Sequence, residues 1–163
     1  MAITAVEGAV AFAIFGSLAA IAIPVYWENV HASRGAEATD GLAQISAAAI
    51  AGATDKPIPD AFPPSAPLTP AVVARGEAAV DPPGAWDAPT WKALDFRAAP
   101  EGVPHRFSFA FDATSSASLS TFGATARADQ DGDGLMSTFE VHGHDDAHGP
   151  AADPGMYVDK ETE

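Results

Sequence analysis

At 163 residues the chain is long enough to bury a modest core and short enough to hold a single domain. Asp and Glu outnumber Lys and Arg by 22 to 8, a formal net charge of −14, so nucleic acid is not expected as a partner through direct charge attraction, which needs clustered cations. The absence of Cys excludes disulfides, thiolate zinc sites and cysteine nucleophiles.

Mean hydropathy is nevertheless +0.05, which requires the apolar and acidic residues to be segregated along the chain. From Gly8 to Trp27 run twenty residues without a charge. At about 1.5 Å rise per residue, such a helix matches the hydrocarbon thickness of a bilayer. Residues 1–27 are therefore predicted as a transmembrane helix half. A secretory signal would need a cationic start, and the only charge in this stretch is Glu7. A soluble core helix would be shorter and would show a polar side. Glu7 itself costs about 2.5–3.5 kcal/mol inside an apolar layer unless paired, so it calls for a cation such as an α-amino group. Its plainer reading is a mark of the interface that favours the helix N-terminus through the dipole.

Residues 28–54 keep Val30, Ala38, Leu42, Ile45 and Ala49 at three- and four-residue steps among charged neighbours. This predicts the same helix continuing as an amphipathic half that packs on a head, with the whole spanning roughly 3 to 53. Pro24 inside it removes a backbone donor and predicts a kink. Residues 55–105 form a connecting loop, with six prolines in the fifteen residues from Lys56 to Pro70, read as extended and partly polyproline. Trp86, Trp91, Leu94 and Phe96 are its apolar anchors. In residues 106–163, Arg106–Ala113, Ser120–Ala128 and the STFEVHG run after Met136 alternate with period two, as half-buried antiparallel strands do. The predicted fold class is α+β, a long N-terminal helix packed on a small antiparallel β-sheet, because a sheet with one apolar face needs cover.

The run Asp129–Glu140, DQDGDGLMSTFE, fits a twelve-residue calcium loop by position. Asp129, Asp131 and Asp133 stand at one, three and five, Gly134 at six, Leu135 offers its carbonyl at seven, Ser137 stands at nine and Glu140 at twelve. A hard cation needs six to eight oxygens about one point, so Ca2+ is the expected ligand. The flanks read as strands, whereas the reach of Glu140 depends on an exiting helix, and a metal-free acidic turn is the competing reading. His142, His144 and His148 lie close together with Asp145 and Asp146, as zinc or copper ligands or as a solvated loop. No nucleophile–base pair, phosphate loop or zincin motif is present, so enzyme activity is not expected.

The first fifty residues, with Glu7 opening the apolar run and GSLAAIAIPVY placing Gly16, Pro24 and Tyr26, followed by EATDGLAQIS, resemble the type IV pilin family. The acidic turn and Trp-rich loop are similar to major pilins of the deltaproteobacterial type. The resemblance implies a subunit held in the inner membrane before assembly, then built by the pilus assembly machinery into an extracellular helical homopolymer. It implies that Glu7 pairs with a neighbour's N-terminal amine and that Gly16 to Pro24 loses helical form on assembly. Glu7 lies two residues deeper than the family's glutamate, so either Met1 and Ala2 are absent from the mature chain or the start is unusual. The family's basic leader is missing, so the sequence is expected to be processed already. The alternatives are a type II secretion pseudopilin and a membrane-anchored calcium-binding module.

Overall fold

The computed structural model describes residues 4–161, with side chains throughout except at 27–34. The expectations for Met1 and Ala2, and for the side chains of Trp27 and Val30, lie outside the described residues. The fold is α+β. Helix α1 runs Ala5–Ala53, close to the span expected, with Pro24 inside it. The chain divides into two compact units between Arg34 and Gly35.

In the first unit every side chain from residue 4 to 26 is exposed, Phe12 at 82% and Phe15 at 75% among them. Ala5–Tyr26 is long and apolar enough to cross a membrane, by length and composition. Ser17 turns its hydroxyl back to the Ala13 carbonyl at 2.8 Å.

The second unit pairs the remainder of α1 with an antiparallel sheet. Its strands are β1 (Ala66–Thr69), β2 (Ser108–Ser115), β3 (Ser120–Ala128), β4 (Ser137–Asp146), β5 (Gly149–Ala152) and β6 (Tyr157–Asp159), in the order β1-β2-β3-β4-β5 with β6 beside β4. Ala38, Leu42, Ile45, Ala49 and Ala53 form the buried stripe of the helix. Phe107, Phe109, Phe111, Phe122 and Phe139 meet it from the sheet.

The register explains how five rings fit in one layer. Phe109 lies opposite Ala126, Phe111 opposite Ala124, Phe122 opposite Gly143 and Phe139 opposite Ala126, so a large residue faces a small one across each pair. Helix and sheet are close enough that a Cβ added at Gly41 would stand 2.6 Å from the Phe109 ring. Burial of this apolar layer is the main stabilising term of the head.

The connecting segment is more ordered than its prolines imply. Ala66–Thr69 adds an edge strand to β2, a place in a sheet where proline is tolerated because its missing N–H can face away from the ladder. Pro89–Ala93 forms a single-turn helix, α2, with Pro89 at the first position, where its missing N–H is not needed. Trp86, Trp91, Leu94 and Phe96 are all buried, with Trp86 and Trp91 centroids 5.2 Å apart and Phe96 and Phe109 at 5.0 Å. Trp91 Nε1 donates to Thr69 Oγ1 at 3.0 Å, tying the loop to β1. Strand β2 starts two residues later than its alternation predicts. The N–H groups of Arg106 and Phe107 both donate, at 2.9 Å, to Glu37 Oε1 of α1 instead of to a neighbouring strand.

Candidate functional site

The turn between β3 and β4 is built around Asp129, whose side chain is fully buried. Its Oδ1 accepts from Gly132 N at 2.7 Å and its Oδ2 from Gly134 N at 3.1 Å. Gly132 and Gly134 hold φ of +87° and +96°, where a side chain would be strained. Asp131 Oδ1 accepts from Asp133 N at 3.1 Å, and Asp133 Oδ1 from Leu135 N at 2.7 Å. One oxygen from each of the three carboxylates falls within 4.8 Å of the others, a group that could hold a metal ion. Arg75 Nε lies 3.8 Å from Asp129 Oδ2, and Gly76 N donates to the Asp129 carbonyl at 2.8 Å.

Of the six donors expected from the loop, the structure brings these three carboxylates together. Leu135 follows directly, its N–H spent on Asp133. Ser137 is buried, donates to the Ala128 carbonyl at 3.1 Å and accepts from Gln130 Nε2 at 3.1 Å. Glu140 sits in β4 opposite Thr125, its carboxylate 3.8 Å from His142 Nε2. The physical reason is the extended strand that begins at Ser137. Three residues of strand carry the chain about 10 Å from the turn, where an exiting helix would curl back.

Each of the three histidines has its own carboxylate neighbour. His144 Nδ1 lies 2.7 Å from Asp153 Oδ1, and His148 Nδ1 lies 3.2 Å from Asp146 Oδ1 in the turn before β5. His142 faces Glu140. Among the described residues the aspartate turn is the group of converging metal ligands.

At the other end of the chain Glu7 has a partner within its own helix. Thr4 N–H and the Thr4 hydroxyl donate to Glu7 Oε2 at 2.9 and 2.8 Å, and Glu7 N–H donates to Thr4 Oγ1 at 3.3 Å. This is a capping box, whose Thr-x-x-Glu spacing was readable in the sequence. Gly16 to Pro24 is helical in this single chain. Replacing Thr4 by Ala is expected to cost about 1 kcal/mol of helix stability at this end. Amide exchange at Glu7 and Gly8 should quicken while the melting of the head stays unchanged.

A second polar cluster, overlooked in the sequence, lies inside the head. His105, Asp81 and Glu37 come from the segment before β2, the connecting loop and α1, 24 and 68 residues apart from His105. No spacing could have signalled it.

No family model matches the chain, and no curated protein or solved structure matches it. The architecture, a long helix with an apolar N-terminal half followed by an antiparallel sheet, is consistent with a pilin-like subunit.

Proposed function

We propose that the chain is a structural, non-catalytic subunit that polymerises into an extracellular type IV pilus filament through the apolar half of α1. The observation that carries this reading is the wholly exposed apolar face of Ala5–Tyr26. Such a surface needs lipid or copies of itself around it. On this reading the unassembled subunit rests in the inner membrane, is taken up by a pilus assembly machinery and then becomes one unit of a helical homopolymer.

Glu7, Gly16 and Pro24 are the assembly residues. The capping box occupies Glu7 Oε2, and among the described residues Oε1 is the oxygen left to meet a neighbour's terminal amine. Gly16 and Pro24 weaken the helix between them, one by propensity and one by a missing hydrogen bond. In the same proposal the Asp129, Asp131 and Asp133 turn binds Ca2+, and the ion steadies the β3–β4 hairpin in a head without disulfides.

Filaments sheared from cells producing the chain, and containing it, are the expected result. A chain confined to the membrane would overturn the reading in favour of an anchored calcium-binding module or a pseudopilin. Glu7→Ala is expected to leave membrane levels unchanged and to reduce filament numbers seen by electron microscopy. Unchanged numbers would remove Glu7 from assembly.

A further inference from the structure

His105 faces oxygen on both ring nitrogens. It is 5% exposed, with Nδ1 2.9 Å from the Phe107 carbonyl and Nε2 2.8 Å from Asp81 Oδ1. A neutral imidazole carries one proton, so either tautomer sets a bare nitrogen against an oxygen, and only the imidazolium places an N–H toward the Phe107 carbonyl and positive charge beside the Asp81 carboxylate at once. His105 Nε2 and Asp81 Oδ1 are both buried and neither has a hydrogen-bond partner among the described residues, so their 2.8 Å approach is an ion-pair contact. From α1, Glu37 Oε1 stands 3.7 Å from Nδ1. The adjacent cation, Arg106, donates from Nη1 to the Gly76 carbonyl at 2.9 Å.

Each carboxylate also holds another element. Glu37 receives the N–H groups of Arg106 and Phe107 at the approach to β2. Asp81 Oδ2 receives Trp86 Nε1 at 2.5 Å, and Trp86 packs on Trp91 and Phe96. The loop carrying Asp81 walls an apolar groove of about 350 Å³, lined by Val72, Ala79, Val80, Pro82 and His105 itself.

We propose that Glu37, His105 and Asp81 form a proton-dependent clamp that holds the second half of α1, the Asp81–Trp86 loop and the start of β2 together, and that loosens on the alkaline side when His105 loses its proton. Deprotonation replaces an ion pair with a lone pair pointed at a carboxylate, and the groove then loses support on one wall. The backbone bonds between Ala79 and His105 keep the loop attached, so the change is a loosening and not an unfolding.

The electrostatics give the direction. Burial pushes the His105 imidazole down, but the paired Glu37 and Asp81 carboxylates outweigh it and hold its pKa above the ordinary value. Burial pushes the Glu37 carboxyl up, but the bonds from His105, Phe107 and Arg106, with the His105 charge, hold it below the ordinary value. A raised histidine stabilises fully below its unfolded pKa of about 6.5, and the gain is lost as pH rises through the folded value. A lowered glutamate stabilises above its unfolded value of about 4.3, and the gain is lost as pH falls through the folded one. The clamp is closed in weakly acidic solution.

The test is a pH titration of the full-length chain in detergent micelles, read by the His105 proton resonance and by thermal melting. The resonance is assigned by its absence from His105→Gln or its shift in Asp81→Asn. It is expected to titrate above the ordinary histidine value. Between pH 6 and pH 9 the wild-type melting temperature should fall by ~3–5 °C more than that of His105→Gln. Asp81→Asn, which keeps an acceptor for Trp86, should flatten the profile in the same way if His105→Gln does not fold. A resonance titrating at or below the ordinary value, or parallel profiles for the wild type and the folded variants, would overturn the clamp.

Discussion

Calcium added to the metal-free, full-length chain in detergent micelles is expected to raise the melting temperature of the head by ~5–10 °C. A ligand at a hundred times its dissociation constant adds about 2.7 kcal/mol to the folded state, and for a domain of this size each kcal/mol moves the midpoint by ~2–5 °C. The gain comes from the Asp129, Asp131 and Asp133 oxygens, which stand within 4.8 Å of one another. Asp131 and Asp133 each leave their second oxygen without a hydrogen-bond partner among the described residues. Asp131→Asn should behave oppositely in the two conditions. Without metal it relieves repulsion between like charges and leaves the midpoint unchanged or slightly higher, while with calcium it should lose most of the gain. Melting curves that superimpose with calcium and with chelator would make the turn a metal-free one, steadied by its own N–H donors and by Arg75 at 3.8 Å.

Gly143→Ala is expected to destabilise the head by about 1–3 kcal/mol, the usual cost of overpacking, and so to lower the midpoint by ~3–10 °C. A Cβ at this position would stand 2.3 Å from Phe122 Cε1 and 2.8 Å from the Ala151 carbonyl oxygen, inside contact distance on both sides. Removing a glycine from a strand gains about 0.5–1 kcal/mol, too little to offset the clash. Phe122→Leu in the Gly143→Ala background should recover part of the loss by freeing space at the ring edge, although it gives up the stacking of Phe122 on Phe111 at 5.6 Å. Additive losses in thermal melts would show that the two positions do not compete for the same space.

The clamp and the aspartate turn are read by different comparisons. Loss of the His105 proton acts on the alkaline side, whereas the calcium gain is the difference between metal-loaded and metal-free melts at a single pH. Repeating the calcium melts at pH 6 and pH 9 therefore separates the two contributions.

Much of the architecture follows from local pattern. A charge-free run of twenty residues and a three- and four-residue apolar stripe define α1, since helix periodicity is a property of neighbouring residues. Ser120–Ala128 matches β3 at both ends because its alternation is uninterrupted and Gly, Asp and Ser bound it. The aspartate turn was legible for the same reason, its three carboxylates lying within five residues of each other.

What the pattern left open depended on partners distant in sequence. Ala66–Thr69 is a strand only because β2 offers it an edge, and nothing in APLT announces pairing with Phe109 and Phe111. Ser137 and Glu140 matched a calcium loop by count, while the alternation of their flank already read as a strand and set the reach of Glu140 against the count. The antiparallel pairing of β4 with β3 holds those residues extended, with Glu140 opposite Thr125 three residues along the strand from Ser137. The Glu37–His105–Asp81 cluster joins residues that composition would scatter on the surface among 22 acids, and only packing removed water from between them. By itself the sequence determined the elements whose signal is periodic and local: a bare apolar helix half, an amphipathic half, a meander and an acidic turn. The tertiary structure decided which polar groups meet, because a charge becomes a partner only when the fold brings an opposite one within a few ångströms and excludes the solvent that would screen it.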